Sequence, residues 1–295
     1  MGGRILIAEN PRAGSGSAAE RVTSLARSLE AHRFEVLRRN DPEGIRREIV
    51  DGQRSDSLAA VVAAGGDGTV SMIADWLSPS TPLAILPVGT ENLLARHLGF
   101  DGDPTRLADR IVRGPRRPLD AGRANGKLFL VMASVGFDAT VVDDLHRNRR
   151  GHIRHWSYFP PFFRALRQYR FPLLRIATDL RERPLEVRWA WIFNIPRYAI
   201  GLRFVPDADD HDGRLDLATF RDGGVLKGLV YFVGVVTGRH RRWSDWQVER
   251  AKRIEITSTA EVPYQLDGDP GGFLPLTIEV LPGRLTIIAP PDPAT

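Results

Sequence analysis

Residues Leu58–Ser71 read LAAVVAAGGDGTVS, and the rest of the chain is interpreted outward from them. Leu58 to Ala64 is an almost wholly apolar run of strand length, the pattern of a parallel strand buried on both faces. It breaks at Gly65-Gly66, where the missing side chains let a ligand approach the backbone. Asp67 and Gly68 follow, then Thr69, a favourable N-cap for a helix over Val70 to Leu77. Strand, glycine turn and helix start gather free N–H groups and the positive end of a helix dipole at one spot, which suits an anion. A carboxylate there would repel phosphate unless a cation or a proton transfer accompanies it. Asp67 therefore points to metal-assisted phosphoryl chemistry. Taken alone, the block also fits a tight turn with a solvated acid.

The flanking sequence repeats the strand-then-helix pattern. Arg4 to Glu9 reads as a buried strand, followed by a turn-rich loop from Asn10 to Gly16 and a helix from about Ala18 to Ala31. Its apolar positions Val22, Leu25, Ala26 and Leu29 lie at helical spacing. Phe34 to Leu37 reads as a strand and Glu43 to Val50 as a helix. Leu83 to Leu86 is a fourth strand, ending in Pro87-Val88-Gly89-Thr90-Glu91-Asn92, after which Leu93 to Leu98 turns helical. Alternation of this kind predicts a parallel sheet with right-handed crossovers, whose ligands sit beyond the carboxyl ends of the strands. The loops 10–16, 65–71 and 87–92 all leave that edge.

The texture changes near Gly114-Pro115-Arg116-Arg117-Pro118, a plausible hinge. Beyond it come β-type runs at Lys127–Ser134, Leu173–Thr178, Leu185–Asn194, Leu215–Phe220, Arg253–Ser258, Thr277–Leu281 and Arg284–Ala289. Two helical stretches interrupt them, about Tyr158–Arg170 and Val225–Gly238. The pattern predicts a mainly antiparallel, sandwich-like second domain. The expected division is an α/β domain over 1–118 and a β-rich domain over 119–284, with a C-terminal strand over 285–295 returning to the first.

The chain has 295 residues, a hydrophobic content of 42%, a charged content of 26% and no cysteine. Those values belong to a globular protein with a sizeable core. Disulfides, thiolate metal sites and cysteine nucleophiles are excluded. The opening MGGRILIAEN is too short an apolar run for a secretory leader, and no stretch of about 18 apolar residues could span a bilayer. The cytoplasm is the expected compartment. The net charge of +5 suits nucleotides or anionic lipid surfaces. Nucleic acid is not an expected partner, because no helix-turn-helix, zinc-finger or RNA-binding signature is present.

Three segments of the second half carry chemistry or surface character. Val205 to Leu217 packs five acids between apolar flanks. Oxygen ligands this dense suit a hard cation such as Mg²⁺, and the same residues equally suit an acidic turn at Asp212-Gly213. Gln265-Leu266-Asp267-Gly268-Asp269-Pro270-Gly271-Gly272 is a tight acidic turn behind a strand. Arg147 to Pro172 mixes arginines with aromatic rings, which fits an interfacial surface or a core helix with snorkelling arginines.

GGDGT resembles the signature shared by diacylglycerol kinases, sphingosine and ceramide kinases and NAD kinases. Asn10-Pro11 with Gly14 resembles the "NP-x-S/A-G" loop of the diacylglycerol kinase catalytic family, and Pro87 to Arg96 resembles its "P-x-GT-x-ND-x-AR" segment. Asp207 to Gly213 is similar to the structural Mg²⁺ loop of the bacterial members, and Asp267-Gly268-Asp269 to their Asp-Gly-Glu motif. The resemblance covers nearly the whole chain. It implies an ATP-dependent lipid kinase with ATP and Mg²⁺ as cofactors, acting on a hydroxyl-bearing lipid from the membrane surface. A homodimer is compatible with it.

By the same resemblance Asn10, Pro11, Arg12, Ala13, Gly14, Asp41, Gly65, Gly66, Asp67, Gly68, Thr69, Val70, Ser71, Thr90 and Asn92 line the nucleotide site. Asp67 would lie near the active metal, Thr90 would donate to ATP and Asn92 would hold its loop. Asp212 would give a carboxylate, and Asp209 and Arg214 carbonyl oxygens, to the structural Mg²⁺. Asp269 would be the base that takes the proton of the lipid hydroxyl. The chain departs from the family at Asp269, where a glutamate is usual, and at Leu93, where an acid is. It also departs at Ser71-Met72, in place of Asn and Glu, and at Asn40-Asp41, in place of a threonine. Two other readings stay open: an NAD-kinase-like enzyme, though the Asn-Glu pair such enzymes use is not found, and a catalytically weak lipid or nucleotide binder.

Overall fold

The computed structural model describes residues 3–11, 17–147, 164, 165, 167, 169–198 and 201–288. The chain divides into two units, Met1–Leu119 with Gly283–Thr295, and Asp120–Pro282.

In the first unit β1 (Arg4–Glu9), β2 (Glu35–Arg39), β3 (Leu58–Gly65) and β4 (Leu83–Pro87) run parallel in the order β2-β1-β3-β4. The end of the chain's last strand adds a fifth, Ile287 pairing parallel with Leu83. Ala60 to Ala64 of β3 are essentially without solvent contact, as a central strand covered on both faces must be. Glu9 is opposite Ala64, and Gly65 is opposite Pro87, so β1, β3 and β4 end at one edge of the sheet.

The helices of this unit are α1 (Ser17–Ala31), α2 (Pro42–Arg54), α3 (Asp67–Trp76), α4 (Leu93–His97) and α5 (Pro104–Arg113). α1 buries Val22, Leu25, Ala26 and Leu29, the face its periodicity marks. α5 follows a Pro at its first position and an Asp103 cap that accepts from Thr105 and Arg106 N–H groups, a start signal the sequence reading passes over.

The second unit is a sandwich. Its elements are β5 (Arg116–Ala124), which enters from the first unit, β6 (Lys127–Phe129), β7 (Met132–Val135), α6 (Phe137–Arg147), β8 (Leu174–Thr178), β9 (Leu185–Val187) and β10 (Trp189–Phe193). A short hairpin, β11 (Arg197–Tyr198) and β12 (Leu202–Arg203), precedes β13 (Leu215–Phe220) and α7 (Val225–Val236). After a 3₁₀ turn at Arg239–Arg242 come β14 (Trp246–Ala251), β15 (Arg253–Thr257), β16 (Pro263–Leu266), β17 (Asp269–Phe273) and β18 (Leu276–Ile288).

One antiparallel sheet has the order β14-β13-β10-β7-β16-β17, and β18, β15, β8 and β9 form the facing layer. Val135, Ile192, Leu217 and Tyr264 from the first sheet and Ile176, Ile254, Ile256 and Ile278 from the second close one apolar core. An α/β unit with a parallel sheet and an antiparallel sandwich is the architecture that the alternation of apolar runs predicts.

Thr277–Leu281 and Arg284–Ala289 are not the separate strands expected: β18 runs through Pro282 and Gly283, the latter at φ 56°. β5 begins at Arg116, inside the segment read as a hinge, and the division between the units falls just beyond it, at Leu119 and Asp120. The expected helix over Tyr158–Arg170 and the aromatic-rich stretch around it lie for the most part outside the described residues. Among the described residues, no helix is long and apolar enough to cross a membrane.

Candidate active site

Three loops meet at the carboxyl edge of the parallel sheet, and each is tied to the next by a specific contact. The Asn10 side-chain amide donates to Thr69 Oγ1 at 2.9 Å, and its backbone N–H donates to the Ala64 carbonyl at 3.0 Å. The backbones at Gly66 and Gly89 pass so closely that a Cβ on Gly89 would lie 2.5 Å from Gly66 Cα. No larger residue fits at 89 without moving the Gly66 backbone, which explains the glycine in that loop. Asn92, in the left-handed region at φ 49°, accepts from the Gly89 N–H at 3.0 Å and donates to the Gly89 carbonyl at 2.8 Å.

Asp67 supplies the third tie. Its two carboxylate oxygens accept from Leu93 N at 2.9 Å and Leu94 N at 3.0 Å, the first amides of α4. A carboxylate at a helix N-terminus is favoured by the dipole and by the unpaired N–H groups together. This arrangement corrects the expected helix start. Gly66 is the N-cap of α3 and Asp67 its first residue, while Thr69 is already helical and its hydroxyl receives Asn10. Burial pushes the Asp67 carboxyl up from the usual range, opposed by the backbone N–H groups it accepts from.

The other nucleotide-site candidates are placed as follows. Gly65 packs against Thr69, leaving no room for a Cβ. Val70 is buried, Gly68 and Thr90 are exposed at the turns, and Ser71 is half-buried on α3. Asp41 caps α2, its Oδ1 accepting from Gly44 N at 2.6 Å, so its carboxylate serves the helix start. Pro11 is exposed, and Arg12, Ala13 and Gly14 lie outside the described residues.

In the second unit the turn between β16 and β17 separates its two acids. Asp267, at φ 50°, accepts from Leu130 N at 2.8 Å, Val131 N at 2.8 Å and Met132 N at 3.0 Å. Gln265, 2% exposed, accepts from Gly268 N at 2.7 Å and donates to Ser134 Oγ at 2.9 Å. Gln265 also reaches Asp138 Oδ2 at 3.3 Å, and Asp138 accepts from the Ser134 and Tyr198 hydroxyls. Burial raises the Asp138 carboxyl, against those three donors. The turn is thereby held from behind, and it presents Asp269 with its side chain 68% exposed.

His146, in the last turn of α6, stands next to that carboxylate. Its Nε2 lies 3.1 Å from the Gly268 carbonyl, to which it donates, and 3.6 Å from Asp269 Oδ1. His146 and Asp138 escape the sequence reading, because nothing in the segment 137–147 marks its closeness to the turn at Asp269. Asp267 is read there as part of the acidic turn, and its role as the acid held by three backbone amides is what the structure adds.

The acidic loop 207–216 is latched from the start of the unit. Buried Asp120 accepts from Gly213 N at 2.7 Å, and its own N–H donates to the Asp210 carbonyl at 2.7 Å. Gly213 takes φ 70°, the left-handed conformation the turn requires. Asp212 Oδ1 accepts from Arg214 N at 2.9 Å, and its Oδ2 lies 3.5 Å from Arg250 Nη1. Arg250 also reaches Asp216 at 3.3 Å. Burial pushes Asp216 up to about 6, partly offset by Arg250 and reinforced by Asp212 and Asp209. Asp209, Asp210 and His211 form a second group whose ligand atoms lie within 4.8 Å of one another, with His211 Nδ1 2.6 Å from Asp209 Oδ1. The loop thus offers oxygen donors of the kind a hard cation takes, with Arg250 as the competing positive charge.

The chain is similar to known proteins over both units. Residues 4–124 match the family model for the diacylglycerol kinase catalytic domain. Residues 131–289 match that for the YegS C-terminal NAD kinase beta sandwich-like domain. A diacylglycerol kinase of Mycobacterium tuberculosis H37Rv is 30% identical over 306 aligned positions, which cover 98% of this chain and 96% of the relative. A diacylglycerol kinase of Bacillus subtilis 168 is 25% identical over 79% of this chain and 78% of its own. The crystal structure of a putative diacylglycerol kinase from Bacillus anthracis superposes with a TM-score of 0.77 at 23% identity, covering 98% of this chain and 97% of that one. At that identity the structural match speaks for the fold.

Proposed function

The chain belongs to the diacylglycerol kinase catalytic-domain family and is a lipid kinase, and on that premise we propose that it transfers the γ-phosphoryl group of ATP to the hydroxyl of diacylglycerol or a related lipid. The observation that carries this reading is the turn 265–270, which fixes one acid with three backbone amides and leaves the next, Asp269, open to an acceptor.

In the reaction the acceptor oxygen forms a bond to the γ-phosphorus as the bond to the β,γ-bridging oxygen breaks, and ADP leaves. The acceptor proton must go somewhere as that bond forms, and Asp269 takes it as general base. His146 stands beside this carboxylate and, through its bond to the Gly268 carbonyl, holds the turn that carries it. The glycine loops at Gly65–Thr69 and Gly89–Asn92 offer backbone N–H groups to the phosphates, with the Asn10–Pro11 loop tied beside them, and exposed Thr90 donates to the nucleotide. Asp67 keeps the first amides of α4 in register with that cradle.

The oxygen donors of the acidic loop fit Mg²⁺. Asp212 would give its carboxylate, and Asp209 and Arg214 their carbonyls. A cation there would neutralise acidic charge that otherwise falls to Arg250. With no membrane-crossing helix among the described residues, the enzyme would meet its lipid as a peripheral protein.

The test is transfer of label from γ-labelled ATP into diacylglycerol, a sphingoid base, ceramide and an isoprenoid alcohol in mixed micelles, with NAD as control. Label on a lipid and none on NAD is the expected result. Label on NAD alone would replace this reading with a nucleotide kinase.

A further inference from the structure

α7 (Val225–Val236) is the most apolar helix among the described residues, and most of its apolar side chains are exposed. Its sequence, VLKGLVYFVGVV, holds one charge, Lys227. Leu226 is 79% exposed, Val233 59% and Val230 52%, and Leu229 and Val236 are exposed beside them. The side against the protein is a narrow stripe of Gly228, Tyr231 and Gly234. Tyr231 stacks on Phe220 at 3.9 Å between centroids, and its hydroxyl bonds Asp245. A Cβ on Gly234 would lie 2.0 Å from the Trp243 ring, so the glycine lets the helix seat flat on that indole. The helix is thus anchored by its one cohesive stripe, and its aliphatic side faces outward by construction.

The surroundings of this face are basic. Between Arg221 and Asp245 five lysine or arginine side chains stand against two acids. Arg239, Arg241 and Arg242 follow the helix directly in the 3₁₀ turn and are all exposed. Asp222 is shared by Lys227 at 2.9 Å and Arg221 at 3.7 Å, and Arg241 meets Asp207 at 2.8 Å. An aliphatic face bordered by arginines and lysine complements one partner in particular, an anionic bilayer surface, where chains insert among acyl groups and cations meet phosphates. A helix of 12 residues is about 18 Å long and cannot span hydrocarbon about 30 Å thick, so it would lie in the interface.

We propose that the exposed aliphatic face of α7, with the Arg239–Arg242 turn, is the surface by which this protein docks onto anionic membranes. The choice of a membrane rests on the lipid-kinase reading, while the surface itself rests on exposure and charge.

The test is co-sedimentation of the full chain with phosphatidylcholine vesicles, with and without phosphatidylglycerol. It compares the native protein, Leu226→Ser/Val230→Ser/Val233→Ser, and Arg239→Glu/Arg242→Glu. Native protein should bind the anionic vesicles, and each variant should bind them at least about tenfold more weakly. Each variant should keep its Tm and its rate on a short-chain, water-soluble diacylglycerol. The charge-reversal variant, which leaves the apolar contacts intact, guards against misfolding of the serine variant. Full vesicle binding by both variants would overturn the proposal. So would a serine variant that turns a dimer into a monomer while binding vesicles normally, since the face would then belong to a second copy. If no lipid is phosphorylated by the native chain but the variants still lose vesicle binding, the kinase reading falls and the docking surface stands.

Discussion

The two acidic glycine turns, Gly65–Thr69 in the first unit and Leu266–Pro270 in the second, are made of the same residue types and use their carboxylates differently. Asp67 is engaged by the amides of Leu93 and Leu94. Asp267 is its counterpart, engaged by the amides of Leu130, Val131 and Met132. The second turn carries one more acid, Asp269, on its exposed side. A carboxylate saturated by backbone donors fixes a loop, and one left open can exchange a proton with a substrate. The DGD spacing places one of each kind in a single turn, with the fixed acid holding the free one still. The first turn has only the fixed kind, which fits a site whose task is to bind phosphate.

This division predicts opposite consequences for neighbouring acids. The largest effect is expected at Asp269. Asp269→Asn should lower kcat by roughly 10²–10⁴-fold, the usual contribution of a general base, and leave Tm unchanged. Asp267→Ala should do the reverse in kind, leaving three amides without their acceptor. A loss of about 2–4 kcal/mol in denaturant unfolding is expected, with activity falling only as the turn loosens. Asp67→Asn should be milder, because one carbonyl oxygen survives to receive one of the two amides. About 1–3 kcal/mol is expected by the same measurement, together with a raised KM for ATP. If Asp67→Asn instead lowered kcat with unchanged KM and unchanged stability, the positioning role would be wrong and the metal would be its partner.

The smallest effect is a pH dependence set by Asp216. Its carboxyl is pushed up to about 6 in the folded chain, above its unfolded value. The folded state therefore holds that proton more tightly, and stability contributed by the group is greatest below the unfolded pKa. It declines as pH rises through about 6. Thermal melts of Asp216→Asn should show a flatter profile between pH 4 and 7 than the native chain, at roughly the range where that titration occurs. Equal slopes would remove Asp216 from the account.

Much of the architecture was legible because it rests on local pattern. The apolar run Leu58–Ala64 can only be an inner strand, and α1 shows its buried face by spacing alone. What escaped was decided at long range. The helix α3 begins at Asp67 and not at Thr69 because the amides of Leu93 and Leu94 claim the carboxylate, and Asn10 claims the threonine hydroxyl. β5, RRPLDAGRA, shows neither alternation nor an apolar run, and its central Asp120 is buried because it latches Gly213 far along the chain. α6 contains Asp138 on its buried side and hid behind its own polarity until Ser134, Tyr198 and Gln265 supplied partners.

The candidate site divides the same way. The glycine loops announced themselves by composition, whereas His146 beside Asp269 is a product of the β16–β17 turn packing near the end of α6. Arg250 was equally hidden: nothing in its own segment says that it lies between Asp212 and Asp216.

The most direct test of the division between held and open acids is a paired measurement of kcat and Tm on Asp269→Asn and Asp267→Asn, with diacylglycerol in mixed micelles and labelled ATP. The account predicts that the first variant loses lipid phosphorylation and melts like the native chain, and that the second melts earlier and keeps measurable turnover. An Asp269→Asn enzyme that phosphorylates lipid at the native rate would contradict it.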